Sequence, residues 1–458
     1  MNLRTARGER RARGSDAGLM PLRRSEDASG GAECEARGVR SFTSLPRPRR
    51  VPRPRPAQRP LRVLLTTDWW EPVVNGVVAS VQTLRRALVA LGCEVRVLTL
   101  AQGIRPQQEE GVYRIGSVSA AMVYDRARIG MPASRRVLRD VLDWRPDVVH
   151  SQCEFSTYVW ARRIARTLSI PLVHTYHTIY EDYTHYYSPS RTVGRKVVAS
   201  FSRHVLAPAD AVIVPTQKVS RLLEEYRVRR PVRVIPTGLD LERFRPARTP
   251  AERDDVRSLR ASLGIAAGQR VLLSVSRLAK EKNLDEVLEL IAASDREDTV
   301  LVLVGDGPHR GPLEQRARAL GISDRVRFTG VVEPAEIQRW YRIGDVFVGA
   351  SLSETQGLTF IEAMACGLPL LCRRDPSLAD VVVEGRTGWQ FESAAQFAAC
   401  LDALLDDPAL HAGMVRAALA HAGATCGATE FGRGVLEVYR QAQGGRPPRL
   451  LPRLAVPA

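Results

Sequence analysis

The sequence predicts an α/β protein with two doubly wound, Rossmann-like domains that face each other across a cleft. Three observations lead there. Short runs rich in β-branched residues recur along the chain, with stretches of helical length between them. The runs are almost continuously apolar rather than alternating, as expected of parallel strands covered on both faces. They also fall into two series within 458 residues, a length that suits two cores rather than one.

Residues 1–58 are rich in Arg, Gly, Ser and Pro and end in repeated Pro-Arg, the composition of a disordered basic tail. The tail reads either as a dispensable extension or as a tether to an anionic surface. The first domain is expected over 59–237, with strands at 62–67, 95–100, 147–151, 171–177, 211–216 and 232–237. A linker at 238–268 follows, marked by Gly238, Pro246, Pro250 and clustered charges. The second domain is expected over 269–429, with strands at 270–276, 300–305, 326–330, 346–350 and 368–372. A crossover helix at 430–443 and a loose basic tail at 444–458 complete the chain.

Composition excludes several classes. No apolar run is long enough to cross a bilayer, and the N-terminus lacks the apolar core of a secretory signal, so a cytoplasmic protein is expected. Seven scattered cysteines form no CxxC pair and have no histidines at zinc spacing, which predicts reduced thiols and no metal site. The net charge is +17, but residues 1–60 hold fifteen arginines against six acidic residues. The remainder is only mildly basic, which argues against a nucleic-acid partner.

Ligands of doubly wound sheets bind beyond the carboxyl ends of the strands, and the candidate motifs lie there. Asn75-Gly76-Val77-Val78 follows the first strand. It is either a tight turn or a place where the backbone approaches a phosphate at a helix start. Arg277 and Lys282, after the first strand of the second domain, are placed to meet a diphosphate, unless the loop is merely solvated. Gly305-Asp306-Gly307 and Gly330-Val331 end further strands, as structural turns or as part of a base site. Ser353-Glu354-Thr355-Gln356-Gly357-Leu358-Thr359-Phe360-Ile361-Glu362 is the most specific run. It predicts a glycine turn at Gly357, a helix beginning near Leu358 whose N–H groups face a phosphate, and two carboxylates eight positions apart. Finally, His174, His177, Tyr180 and Tyr183 concentrate rings at the end of the 171–177 strand, which suits a sugar or amphiphilic acceptor, although one or both histidines could belong to the core.

Together these residues resemble the family 4 glycosyltransferases of GT-B architecture, from about residue 62 to 443. The spacing from Glu354 to Glu362, with Gly357-Leu358 inside it, and Arg277 with Lys282 carry the likeness. Within that family, His174-Thr175-Tyr176-His177-Thr178, Tyr180-Glu181-Asp182-Tyr183 and the Ser353–Thr359 run look like the bacterial diacylglycerol α-glucosyltransferases. Cys153 stands where that group more usually has Thr, and Asn75 where it often has Ser. The resemblance implies a retaining hexosyltransferase that needs no cofactor or metal. Arg277 and Lys282 would bind the donor diphosphate with help from the amides of Gly357, Leu358 and Thr359. Glu354 would hold the hexose and Glu362 the ribose. Gly76 would approach the phosphates, His177 would contact the hexose near the reacting carbon, and Val331 would offer backbone groups to the base.

The acceptor is read from 189–206, where Arg191, Arg195 and Lys196 intersperse with Val193, Val197, Val198, Phe201 and Val205. This is either a basic amphipathic helix for an anionic membrane or an ordinary helix packed on the sheet. The expected partners are therefore a nucleotide-diphosphate sugar, a lipid acceptor and the inner face of the plasma membrane. UDP-glucose and diacylglycerol are the favoured substrates. The alternatives are phosphatidylinositol mannosylation, transfer to a soluble acceptor, a sugar-nucleotide epimerase, and a non-catalytic membrane-binding module.

Overall fold

The computed structural model describes residues 59–122, 127–132, 135–181, 190–294, 296–351 and 353–444. The predicted tail at 1–58, the last fourteen residues, Tyr183 and the side chain of Arg191 lie outside what is described.

The first half runs β1 (Arg62–Thr66), α1 (Gly76–Ala90), β2 (Glu94–Leu100), β3 (Gln107–Glu109), β4 (Val112–Ile115), β5 (Ser117–Ser119), β6 (Arg128–Gly130), α2 (Arg135–Trp144), β7 (Val148–Ser151), α3 (Ser156–Leu168), β8 (Leu172–Thr175), α4 (Arg191–Leu206), β9 (Ala211–Val214), α5 (Gln217–Glu225) and β10 (Val232–Val234). The second runs α6 (Pro250–Ser262), β11 (Arg270–Val275), α7 (Leu284–Ala292), β12 (Thr299–Val304), α8 (Arg310–Ala319), β13 (Val326–Phe328), α9 (Ile337–Tyr341), β14 (Val346–Gly349), α10 (Leu358–Ala365), β15 (Leu370–Arg373), β16 (Gly388–Phe391), α11 (Ala394–Asp406), α12 (Pro408–Thr425) and α13 (Ala428–Gly444).

Two sheets result. The first has the order β10-β9-β8-β7-β1-β2-β4-β3, parallel except for β3, which runs antiparallel to β4. The second is parallel throughout, in the order β13-β12-β11-β14-β15-β16. Each apolar run predicted from the sequence is a strand in one of them. The strands β3, β4 and β16 and the β5–β6 hairpin were not expected; they are short and carry polar residues such as Gln107-Gln108-Glu109.

Burial on both faces explains the continuous apolar runs. All six residues of β12 are buried. Val271 and Leu273 of β11 point into one cluster and Leu272 into the other. Each such side chain removed from water contributes about 1.5–3 kcal/mol. Chain order reverses beside β1 in the first sheet, where β7 returns to its other edge, and beside β11 in the second, where β14 does. These are the switch points at which ligands of such sheets bind. The loops after β1, β7, β11 and β14 therefore define where a site must form.

The stretch expected to be a linker is partly helical. Thr249 and Glu252 form a reciprocal capping box, with Pro250 in the first turn, and α6 follows. Val256 and Leu259 of this helix pack on the second core. The last helix, α13, crosses back. Phe431, Val435, Val438 and Tyr439 enter the core of the first half. Gly432 lies so close to α1 that a Cβ there would meet Ala87 Cβ at 2.8 Å.

Candidate active site

The second sheet contributes the loop after β11. Its course depends on Gly305, at the end of β12, which has φ +128° and would place a Cβ 2.1 Å from the Ser276 carbonyl oxygen. Glycine thus lets the end of β12 press against the segment bearing Arg277, which is half-buried. Further along, Lys282 Nζ donates to Glu354 Oε1 at 2.6 Å. Burial opposes the Glu354 charge, but the ammonium groups of Lys282 and Lys218 hold its carboxyl below the usual range.

Glu354 is carried by the loop after β14. Gly357 ends that loop with φ +73°, in the left-handed region, and supplies no side chain to cap α10. A Cβ at Gly357 would stand 2.5 Å from Leu378 Cδ2. The amides of the first turn of α10 are therefore presented without a side-chain cap, at the positive end of the helix dipole. Lys282, Glu354 and Thr359 line one crevice with Ser276 and Ser351. From the other half, Gly76 stands against Leu358, whose Cδ1 would be 3.6 Å from a Cβ at that position. Gly76 opens α1, and the Asn75 side chain caps that helix by accepting from the Val78 N–H at 2.9 Å. A wider hollow lies beside β2 and β4, lined by Arg85, Glu94, Arg96 and Gly111, and holds none of the predicted site residues.

One turn into α10, Glu362 accepts from Tyr341 Oη at 2.6 Å. Burial pushes its carboxyl up to about 7, against the lowering pull of Tyr341 and Arg243. Val331 follows β13 and is 74% exposed, which leaves its backbone at an open edge.

The first half supplies a second group. His177 Nε2 bonds Gln152 Oε1 at 2.7 Å, and burial lowers its imidazole to about 4, so it is neutral at physiological pH. Tyr180 Oη donates to Glu154 Oε2 at 2.6 Å, and His174 Nε2 lies 3.3 Å from Glu154 Oε1. His174 is fully buried, the core outcome allowed for one of the two histidines. The Tyr180 ring meets Phe155 and Phe201 edge-on at 6.1 and 5.7 Å. On α4, Arg195 pairs with Glu181 and Glu225, while Lys196 is exposed. Val198 and Val205 of that helix are buried, whereas Val193 and Val197 face solvent. The apolar positions of α4 thus divide between the core and the surface.

Several site residues were not predicted. Lys218, at the start of α5, donates to the Glu354 carbonyl at 3.2 Å and to Asp375, which follows β15, at 2.9 Å. Asp68, just beyond β1, accepts from the N–H groups of Ser156 and Thr157 at the start of α3, and burial raises its carboxyl to about 6. All three stand at strand ends, so the rule that located the other motifs also covers them. Among the described residues, no group of three or more His, Cys, Asp or Glu is placed to hold a metal ion.

Two facing doubly wound sheets with cations, carboxylates and a glycine-led helix start between them define the GT-B class. Anabaena HepE in complex with UDP and glucose shares this architecture, with a TM-score of 0.65 at 18% identity over 83% of this chain and 100% of that one. The sequence narrows the class. Residues 74–243 match the model of glycosyltransferase family 4, and residues 255–421 that of glycosyl transferases group 1. An alpha-monoglucosyldiacylglycerol synthase of Streptococcus pneumoniae is 36% identical over 83% of this chain and 86% of its own length. One from Acholeplasma laidlawii is 31% identical over 72% and 84%. The chain belongs to the family 4 glycosyltransferases and is a hexosyltransferase, as its motifs implied.

Proposed function

We propose that the protein transfers glucose from UDP-glucose to diacylglycerol and forms an α-glucoside with retention of configuration. The observation that supports this reading is the similarity to two alpha-monoglucosyldiacylglycerol synthases over 83% and 72% of this chain. The grouping of Lys282, Glu354 and the start of α10 in one crevice supports a mechanism for it. Cleavage of the bond between the anomeric carbon and the phosphate oxygen leaves positive character on the sugar and negative charge on the diphosphate. Arg277, Lys282 and the N–H groups of Gly357, Leu358 and Thr359 neutralise the departing charge, with Gly76 allowing close approach from the other half. Glu354 holds the hexose, Glu362 the ribose and Val331 the base. His177, as a neutral imidazole, contacts the sugar near the reacting carbon. The acceptor oxygen bonds the anomeric carbon on the face the phosphate leaves, and its proton passes to the departing phosphate oxygen.

Arg277 and Lys282 supply the cationic charge in this scheme, so transfer is expected to survive treatment with EDTA. A rate that collapses on chelation and returns with a divalent ion would contradict it. The acceptor side is proposed to meet a membrane peripherally, on its inner face. Phe155, Val159, Val193 and Val197 are each more than half exposed, and Lys196 stands among them in sequence. No helix among the described residues is long and apolar enough to cross a membrane.

Incubation with UDP-glucose or GDP-mannose, and with diacylglycerol or phosphatidylinositol vesicles, tests the assignment by product mass. Glucosyldiacylglycerol is expected from the first pair. A product only from GDP-mannose and phosphatidylinositol would replace the proposal with the mannosyl alternative.

A further inference from the structure

The loop that carries Glu354 is held from both halves of the chain. Lys218 Nζ donates to the Glu354 carbonyl at 3.2 Å and to both Asp375 carboxylate oxygens at 2.9 and 3.2 Å. Thr216 Oγ1 donates to the Thr355 carbonyl at 3.0 Å. The Gln356 side chain accepts from the Thr237 N–H at 3.0 Å and donates to the Thr237 carbonyl at 3.1 Å. Ser377 Oγ also donates to the Glu354 carbonyl, and the Ser377 N–H bonds Asp375 Oδ1. Lys218 and Thr216 belong to the first half, whereas Glu354, Thr355 and Asp375 belong to the second.

Two features set this apart from ordinary packing. Thr216 is the N-cap residue of α5, yet its hydroxyl makes no cap bond and is turned across to the other half. A local preference is given up where a longer-range bond is made, a pattern typical of functional sites. The Asp375 carboxylate is also almost wholly removed from water, with 1% of its side chain exposed. Such a charge is costly unless paired, and Lys218 pairs it from across the division.

We propose that Lys218 is a positioning residue for sugar transfer: bonded to Asp375, it fixes the Glu354 backbone and so aims the Glu354 carboxylate at the hexose only when the two halves are together. This rests on the reading of Glu354 as the hexose-holding group. Lys282 grips the carboxylate end of Glu354 and Lys218 its carbonyl end. The residue is thereby set at both ends, one from each half.

The test compares Lys218→Ala, Lys218→Arg, Asp375→Asn and Glu354→Ala in the full chain. The readouts are kcat and KM for UDP-glucose with diacylglycerol, UDP affinity by calorimetry, and the thermal midpoint. Losing charge-assisted bonds that act on the transition state is expected to lower kcat of Lys218→Ala by about tenfold or more, with UDP affinity kept within about twofold. Lys218→Arg, which can still pair with Asp375, should recover most of the loss. Should Lys218→Ala fail to fold, Asp375→Asn decides, since reduced kcat with retained UDP binding supports positioning and an unchanged kcat overturns it. A normal kcat in Lys218→Ala beside an inactive Glu354→Ala overturns the positioning role and leaves the reading of Glu354 intact. UDP affinity that falls in step with kcat would make Lys218 a direct nucleotide contact and overturn the proposal. A near-normal Glu354→Ala removes the reading of Glu354 and the proposal with it.

Discussion

At the scale of single residues, two glutamates eight positions apart are tuned in opposite directions. Glu354 is kept ionised by Lys282 and Lys218, whereas burial raises Glu362 to about 7. In the folded protein, therefore, Glu362 binds its proton more tightly than in the unfolded chain. Stability from this group is full below the ordinary value near 4.5 and is lost as pH rises towards 7. Glu362→Gln should flatten that part of the stability profile, as read by urea unfolding at several pH values between 5 and 8. A carboxylate accepts ribose hydroxyls better than a neutral acid does, so KM for the donor is expected to fall between pH 6 and 8. Glu362→Gln should abolish that dependence, and a variant that keeps the wild-type slope would assign it elsewhere. In the proposed scheme Glu354 stands beside the reacting sugar, so Glu354→Ala should reduce kcat by roughly 10²–10³ while nucleotide affinity changes little. Unchanged turnover would separate Glu354 from the chemistry.

At the scale of elements, the turn into α10 sets the geometry of the proposed donor side. Gly357 has a positive φ and no room for a Cβ. Gly357→Ala is expected to cost about 1–2 kcal/mol from backbone conformation alone, with a further cost from the contact with Leu378. Chemical denaturation would measure it, and a stability equal to wild type would show that the turn tolerates a side chain. Gly357 and the helix starting at Leu358 were legible in the sequence because one residue type has one conformational use there. The buried parallel strands were legible for a similar reason, since a short, continuously apolar run bounded by turn residues suits a strand covered on both faces. The edge elements were not. β3 is wholly exposed and polar, so no burial pattern marks it. Lys218 and Asp375 were also invisible as a pair, because 157 positions separate them and only the tertiary fold brings them within 2.9 Å. The basic helix α4 was located, but periodicity alone did not reveal that Arg195 would be taken up by Glu181 and Glu225.

At the scale of the whole molecule, the proposed scheme divides donor and acceptor functions between the two sheets and expects membrane contact at the first. Val193→Asp with Val197→Asp puts charge on exposed apolar positions of α4. The change should weaken binding to vesicles containing anionic lipid and diacylglycerol while leaving UDP affinity unchanged. Sedimentation with vesicles reads the first and calorimetry the second, and unaltered partitioning would exclude these positions from the contact. The return of α13 across the molecule has a different consequence, one that concerns synthesis. Phe431, Val435, Val438 and Tyr439 fill the core of the first half, and Tyr439 Oη lies 2.7 Å from the buried His150 Nδ1. A ribosome delivers these residues only after the entire second sheet. The core of the nascent first half therefore stays incomplete, lacking these four side chains, until the final helix has been made.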